Sequence, residues 1–275
     1  FVGEPTALNL VYAHKGMINL RIELPIKPIN TSKPVQEMEF LGESAHGSTP
    51  HLGKNAISMA IRELKSLPKG FELVQIEGGT AFNMVPEWSK LSTAKNTVTQ
   101  NRERIIRLFD VLDDIVGNFN NDQDPKYDPP ISVLNIGKVE TDTDKITVTL
   151  SFRMLPKRDF QVIQGKLEAV TTELEGQVTV ERMINPMHTD PGHPIIQKSL
   201  SLCKNVGIVA EIETKPALTE ASLYEERGAH CVVFGPGVAK GNIHKPNEWN
   251  DIDQLKKAVG FYEKVIETFC LEEIV

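Results

Sequence analysis

Apolar residues alternate with polar ones at Ile18, Leu20, Ile22 and Leu24, the period of two that marks a strand buried on one face. Pro25, Pro28 and Pro34 then punctuate the chain and stop that strand. Residues 35–44 read as another strand and 45–53 as a loop. The period changes at Ala56. Ala56, Ile57, Ala60, Ile61, Leu64 and Leu67 recur three and four apart, the stripe of an amphipathic helix, and Pro68 ends it. Strands follow at 71–76, running into Gly78-Gly79, and at 85–94. Ile105, Ile106, Phe109, Leu112, Ile115 and Val116 mark a second helix, and the Asn-, Asp- and Pro-rich stretch 117–130 a loop. Two strands come next, 131–139 and 145–154, the latter with clean alternation of Ile146, Val148, Leu150 and Phe152. A third helix over 158–174 and a strand over 178–183 complete this unit.

From residue 185 the rhythm changes. Helical stretches at 194–206, 219–228 and 252–271 alternate with short strands at 208–212 and 231–234, an α/β pattern. The expected architecture is an α/β domain of residues 1–16 and 185–275, a mixed sheet with helices, split by an inserted α+β domain of residues 17–184. Inside the insert, segments 71–94 and 131–156 echo each other as strand, turn, strand.

Composition narrows the function classes. Apolar residues make up 40% and charged residues 24% of the 275, the balance of an ordinary globular protein. A formal net charge of −7 argues against nucleic acid as a partner, which calls for a basic face. No apolar run reaches the roughly 20 residues of a membrane helix. Cys203, Cys231 and Cys270 are few, odd in number and far apart, which fits a reducing compartment and gives no disulfide framework. With no basic or long apolar stretch at Phe1-Val2-Gly3-Glu4-Pro5, the expectation is a cytoplasmic protein without a secretory leader. Gly235-Pro236-Gly237 lacks the spacing of a dinucleotide-binding turn, and there is no Walker-type Gly-Lys-Ser/Thr.

Four clusters carry candidate chemistry. His244, in Gly241-Asn242-Ile243-His244-Lys245-Pro246-Asn247-Glu248, follows an apolar strand that ends in a glycine turn. That places an imidazole at the C-terminal end of a strand, the usual site face of an open α/β sheet, where it can bind a transition metal. Glu4 precedes Pro5, which pushes it into an extended conformation. His46 and His51 flank the small-residue loop Gly47-Ser48-Thr49-Pro50, where a histidine can reach into a site as a hydrogen-bond donor. The turn Gly78-Gly79-Thr80-Ala81-Phe82-Asn83 presents the Asn83 amide.

Together, in this order, the chain resembles the two-domain metallopeptidase family of acetylornithine deacetylase, succinyl-diaminopimelate desuccinylase, aminoacylase-1 and carboxypeptidase G2. The matching pieces are Gly3-Glu4-Pro5-Thr6, Ala45-His46-Gly47-Ser48-Thr49-Pro50 with Gly53-Lys54-Asn55-Ala56, Gly78-Gly79 with Asn83 and Pro86, and Phe152-Arg153 with Pro156. Phe234-Gly235-Pro236-Gly237 and the segment 241–248 complete the set. The resemblance implies an amidohydrolase that removes an acyl group from an N-acyl amino acid or cuts a small peptide, closest to acetylornithine deacetylase. It implies two Zn2+ ions per complete site, with Co2+ a possible substitute. Glu4 matches a ligand of one ion and His244 a ligand of the other. The insert would be a ferredoxin-like lid that also forms a homodimer, with His46 reaching into the partner's site to stabilise the oxyanion. Asn83 and Arg153 match substrate-holding lid residues, the guanidinium fork suiting a carboxylate, and Lys95 is the rival for Arg153 by its spacing from Asn83.

The departures shape a further expectation. The family's His-x-Asp pair, bridging aspartate and Glu-Glu pair precede Gly-Glu-Pro, whereas only three residues precede Glu4. The chain therefore reads as a fragment or a processed chain, expected to bind zinc poorly and to be inactive alone, since a catalytic zinc takes about three protein ligands. Thr219-Glu220 stands where Thr-Asp is usual. The competing expectation is a non-catalytic dimerisation or interaction fragment, or a pseudo-enzyme.

Overall fold

The computed structural model describes residues 1–29, 34–95, 100–156, 160–239, 241–242 and 247–271. In chain order the strands begin with β1 (Val2–Gly3), β2 (Leu10–His14), β3 (Gly16–Pro25) and β4 (Gln36–Leu41). Helix α1 (Ala56–Ser66) leads to the hairpin β5 (Phe71–Gly79) and β6 (Trp88–Lys95), and α2 (Asn101–Phe119) to the hairpin β7 (Val133–Thr141) and β8 (Lys145–Met154). Then come α3 (Phe160–Glu173), β9 (Gln177–Ile184), β10 (Met187–His188), α4 (Pro194–Asn205), β11 (Ile212–Lys215), α5 (Ala221–Glu225), β12 (Val233–Phe234) and α6 (Ile252–Ile266). The chain divides into two compact units. One joins Phe1–Gly16 to the segment from Ile184 onward, and the other is Met17–Met183.

The first unit is built on β2. All five of its residues are buried, and Leu10–Ala13 read as a continuous apolar run ending at His14 and not as an alternating strand. It lies antiparallel to β12 and β10 and parallel to β11, and β12 in turn pairs in parallel with β1. Helix α6 starts where the Asp251 carboxylate accepts from the amides of Asp253 (2.8 Å) and Gln254 (3.0 Å), an N-cap. Its buried Ala258, Phe261 and Val265, three and four apart, face the core. The Phe261 ring stacks at 4.1 Å on Phe234, and the Tyr262 hydroxyl donates to the Phe234 carbonyl at 2.7 Å.

The second unit is a seven-stranded sheet in the order β4-β6-β5-β7-β8-β3-β9. Its strands bury one face against the apolar stripes of α1, α2 and α3. Strand β8 shows how: Ile146, Val148, Leu150, Phe152 and Met154 enter the core, so the period of two turns Thr147, Thr149, Ser151 and Arg153 to the opposite face. Helix α1 is capped by Asn55, whose side chain accepts from Ser58 N at 3.1 Å and donates to the Ile136 carbonyl of β7 at 2.9 Å.

Several boundaries differ from the sequence expectation. The strand expected at 208–212 lies at Ile212–Lys215, because Gly207 turns the chain with φ +72 and Ile208 is spent as a buried plug after α4. Strand β6 begins at Trp88 and not at 85, since the Val85 amide is bonded to Ala45 at 2.9 Å instead of a β5 partner. Helix α5 spans five residues, and helix α2 runs on to Phe119.

Candidate functional site

Glu4 leaves the end of β1 and is fixed through its backbone. Its amide donates to the Phe234 carbonyl at 3.4 Å. Beyond it, the buried Thr6 hydroxyl accepts from Gly235 N at 3.1 Å and donates to Asn9 O at 2.7 Å. Thr6 and Leu8 amides both donate to Gly235 O, and the Ala7 amide to Gly237 O at 2.7 Å. Gly235 is required by contact: a Cβ there would stand 2.5 Å from the Glu4 carbonyl oxygen. The Gly-Glu-Pro-Thr and Phe-Gly-Pro-Gly motifs are thus two halves of one interlock.

The Glu4 carboxylate is half-buried and pairs with Lys215 Nζ of β11 at 3.4 Å. Lys215 lies opposite His14 in the β11–β2 register. His14 is fully buried. Its Nδ1–H donates to Lys15 O at 2.9 Å, and its Nε2 accepts from the Thr219 amide at 3.3 Å, so both ring nitrogens are satisfied in the neutral form. Burial pushes its pKa down to about 4, and the Lys215 charge adds to that. The neutral imidazole thereby fixes the start of the Thr219-Glu220 turn.

His244 lies outside the described residues. The flanks of its loop are described. Asn242 donates to Val238 O (3.1 Å) and Trp249 O (2.7 Å) and accepts from Trp249 N (3.1 Å), which ties the two flanks together. Among the described residues no three His, Cys, Asp or Glu side chains converge into a metal-holding group. Glu4 is a suitable oxygen ligand by its chemistry, yet the described residues do not by themselves make a complete metal site.

In the second unit, His46 and Asn83 sit on neighbouring stretches of a short ribbon. His46 bridges antiparallel to Met84. The Gly47 amide donates to Asn83 O at 2.7 Å and the Val85 amide to Ala45 O at 2.9 Å. A side chain at Gly47 would crowd Asn83 Cα at 3.2 Å and Asn135 Nδ2 at 3.1 Å. Asn135, buried on β7, donates both amide protons, to Phe82 O and Met84 O at 2.8 Å each, and so brackets Asn83 from below. His46 and Asn83 themselves are exposed. Behind His46, the buried Ser48 donates its backbone amide to His46 Nδ1 at 3.1 Å, and its hydroxyl lies 2.7 Å from the same nitrogen.

Arg153 lies on β8 opposite Val133, and its neighbour Ser151 lies opposite Asn135. Arg153 is 4% exposed, and among the described residues its Nε finds no hydrogen-bond partner, nor do Ser151 Oγ and Asn135 Oδ1. Burial, reinforced by Arg182, pushes the guanidinium down to about 10. Lys95 is elsewhere: it ends β6 opposite Phe71, with its ammonium 5.8 Å from that ring. Asn83 belongs to the turn at the other end of the same hairpin. At about 3.3 Å per residue, the seven steps along the eight residues of β6, Trp88–Lys95, span roughly 23 Å, with Asn83 in the turn before the strand and Lys95 at its far end.

Sequence reasoning did not single out Thr6, His14, Ser48, Asn135 or Lys215. Ser48 and Thr6 lie within quoted motifs, so their small hydroxyls were the available signal. Nothing local marks Asn135, His14 or Lys215.

The family model of peptidase family M20/M25/M40 matches residues 2–268, and the chain belongs to that family. It is 24% identical over 281 residues to a probable succinyl-diaminopimelate desuccinylase of Staphylococcus epidermidis, covering 98% of this chain and 59% of the relative. It is 21% identical over 282 residues to an acetylornithine deacetylase of Photorhabdus laumondii, covering 98% and 56%. The chain thus spans about three-fifths of the length of the curated relatives it matches. Its fold is similar to that of an aminoacylhistidine dipeptidase from Vibrio alginolyticus, with TM-score 0.73, 15% identity, and coverage of 96% of this chain and 64% of that one. No helix among the described residues is long and apolar enough to cross a membrane.

Proposed function

We propose that the protein is a metal-dependent amidohydrolase that removes the acyl group of an N-acyl amino acid or cleaves a small peptide, most like acetylornithine deacetylase. The observation that carries the reading is the braced ribbon. It holds an exposed imidazole and an exposed amide side by side, in the same unit as a buried guanidinium whose Nε finds no hydrogen-bond partner among the described residues. In this reading His46 donates to the oxyanion, Asn83 holds the substrate amide, and Arg153 takes the substrate carboxylate. The position of Lys95 at the far end of the hairpin favours Arg153.

Zinc, two ions per complete site, is the metal we propose, with cobalt a possible substitute and Glu4 and His244 as ligands. When bound it would polarise the scissile carbonyl and supply a reactive water. Residues 1–275 alone would bind it weakly and hydrolyse little, since a catalytic zinc takes about three protein ligands and Glu4 and His244 are the two proposed here.

The second unit is in this reading a lid and dimerisation domain. The strand order β7-β8-β3-β9, with α3 between β8 and β9, supports a ferredoxin-like β-α-β-β-α-β reading in which β4, α1, β5 and β6 are added between β3 and α2. Strands β4 and β9 end the sheet and offer edges to a second copy.

The test is hydrolysis of N-acyl amino acids by the zinc-loaded, full-length protein. His46→Ala is expected to lower kcat by roughly 10²–10³ with fold and zinc content unchanged. A wild-type protein that binds zinc and hydrolyses neither N-acyl amino acids nor dipeptides would defeat the reading in favour of a non-catalytic interaction module.

A further inference from the structure

We infer that Ser48 is a positioning residue that holds His46 as the neutral Nε2–H tautomer, so that His46 acts as a hydrogen-bond donor through Nε2 and not as a base. The inference deepens the proposed role of His46 and rests on it for its catalytic meaning.

The argument turns on what a backbone amide can do. Ser48 N lies 3.1 Å from His46 Nδ1 in donor geometry. An amide N–H only donates, so Nδ1 must present its lone pair. In a neutral imidazole the proton then sits on Nε2. The opposite tautomer would set two N–H groups head to head. The Ser48 hydroxyl, 2.7 Å from the same nitrogen, can rotate to add a second donor there.

The turn that presents this amide is fixed on every side. Ser48 is 3% exposed. The Thr49 amide donates to His46 O at 2.9 Å and the Leu52 amide to Thr49 O at 3.0 Å, closing the segment into a short 3-10 turn at Pro50–Leu52. Gly47 is locked against Asn83. The amide therefore stays aimed at Nδ1 of a residue that is itself exposed. With Nδ1 engaged and Nε2 protonated, the ring has no free lone pair with which to take a proton. It keeps the N–H with which a neutral imidazole polarises a carbonyl.

The experiment is long-range proton–nitrogen correlation on the 15N-histidine-labelled protein at a pH where His46 is neutral, with His46→Gln to assign the ring. Expected is an unprotonated, pyridine-type Nδ1 and a protonated, pyrrole-type Nε2. A protonated Nδ1, or two averaged nitrogen signals, would overturn the inference. Ser48→Ala keeps the amide and is expected to keep the tautomer. A switch to Nδ1–H in that variant would show that the amide does not set it. Both readouts are independent of hydrolysis. The expected spectrum together with full activity in His46→Ala would defeat the donor role and leave the tautomer assignment standing.

Discussion

Glu4 and His46 are both proposed site residues, and the protein holds them by different means. Glu4 is placed by strands remote in sequence: its amide meets Phe234, and the residues after it meet Gly235 and Gly237. His46 is placed by a local ribbon with Asn83, braced from beneath by a single buried side chain, Asn135. The first arrangement depends on global pairing of the sheet. The second depends on one amide that satisfies two carbonyls. Damage should therefore spread differently: from the Glu4 interlock into the whole first unit, and from Asn135 into one loop.

The largest effect expected is on pH dependence in the first unit. His14 has its pKa lowered from 6.5 to about 4 in the fold, chiefly by burial. Between those values the unfolded chain binds a proton that the folded one does not, so stability rises with pH over that window. It is fully present above 6.5 and is lost as pH falls toward about 4, a change of about 3 kcal/mol. Chemical denaturation at pH 7 and pH 4 measures it, and His14→Phe should flatten much of the slope. Equal slopes in wild type and variant would remove His14 as the acid-labile point.

Next in size is Asn135→Leu. It strands the carbonyls of Phe82 and Met84 and is expected to cost about 2 kcal/mol. Hydrogen exchange should rise at Gly47 and Val85, while the amides of Glu4 and Thr6 stay protected. Exchange rising equally at both places would erase the contrast drawn above. Gly235→Ala is expected to cost about 1–3 kcal/mol through its clash with the Glu4 carbonyl, with exchange rising at residues 4–8 and not in the ribbon.

In the substrate assay, Arg153→Ala should raise KM about tenfold or more, as loss of a charged hydrogen bond does. The smallest effect is expected at Lys95→Ala, which should leave KM unchanged. A KM that responds to Lys95 and not to Arg153 would reverse the choice between them.

Much of the fold was legible where a strong period met a clear stop. The alternation at Ile18–Leu24 and Ile146–Phe152 and the stripe from Ala56 to Leu64 became β3, β8 and α1. The two-residue strands β1, β10 and β12 are too short to carry a period, and β11 lies a few residues past its expected place.

The sequence by itself determined the motifs, the family resemblance and the residue types able to do the chemistry, because these depend on local order along the chain. The tertiary structure decided who serves whom. Lys95 follows Asn83 closely in sequence, yet the antiparallel hairpin carries it to the far end of β6, while the Asn135 amide reaches the carbonyls on either side of Asn83 and register sets Ser151, two residues before Arg153, opposite Asn135. Ser48, His14 and Lys215 likewise acquire their roles only through partners that folding supplies. A hydrogen bond is specified to a few tenths of an ångström, and a sequence states only which groups exist to make one.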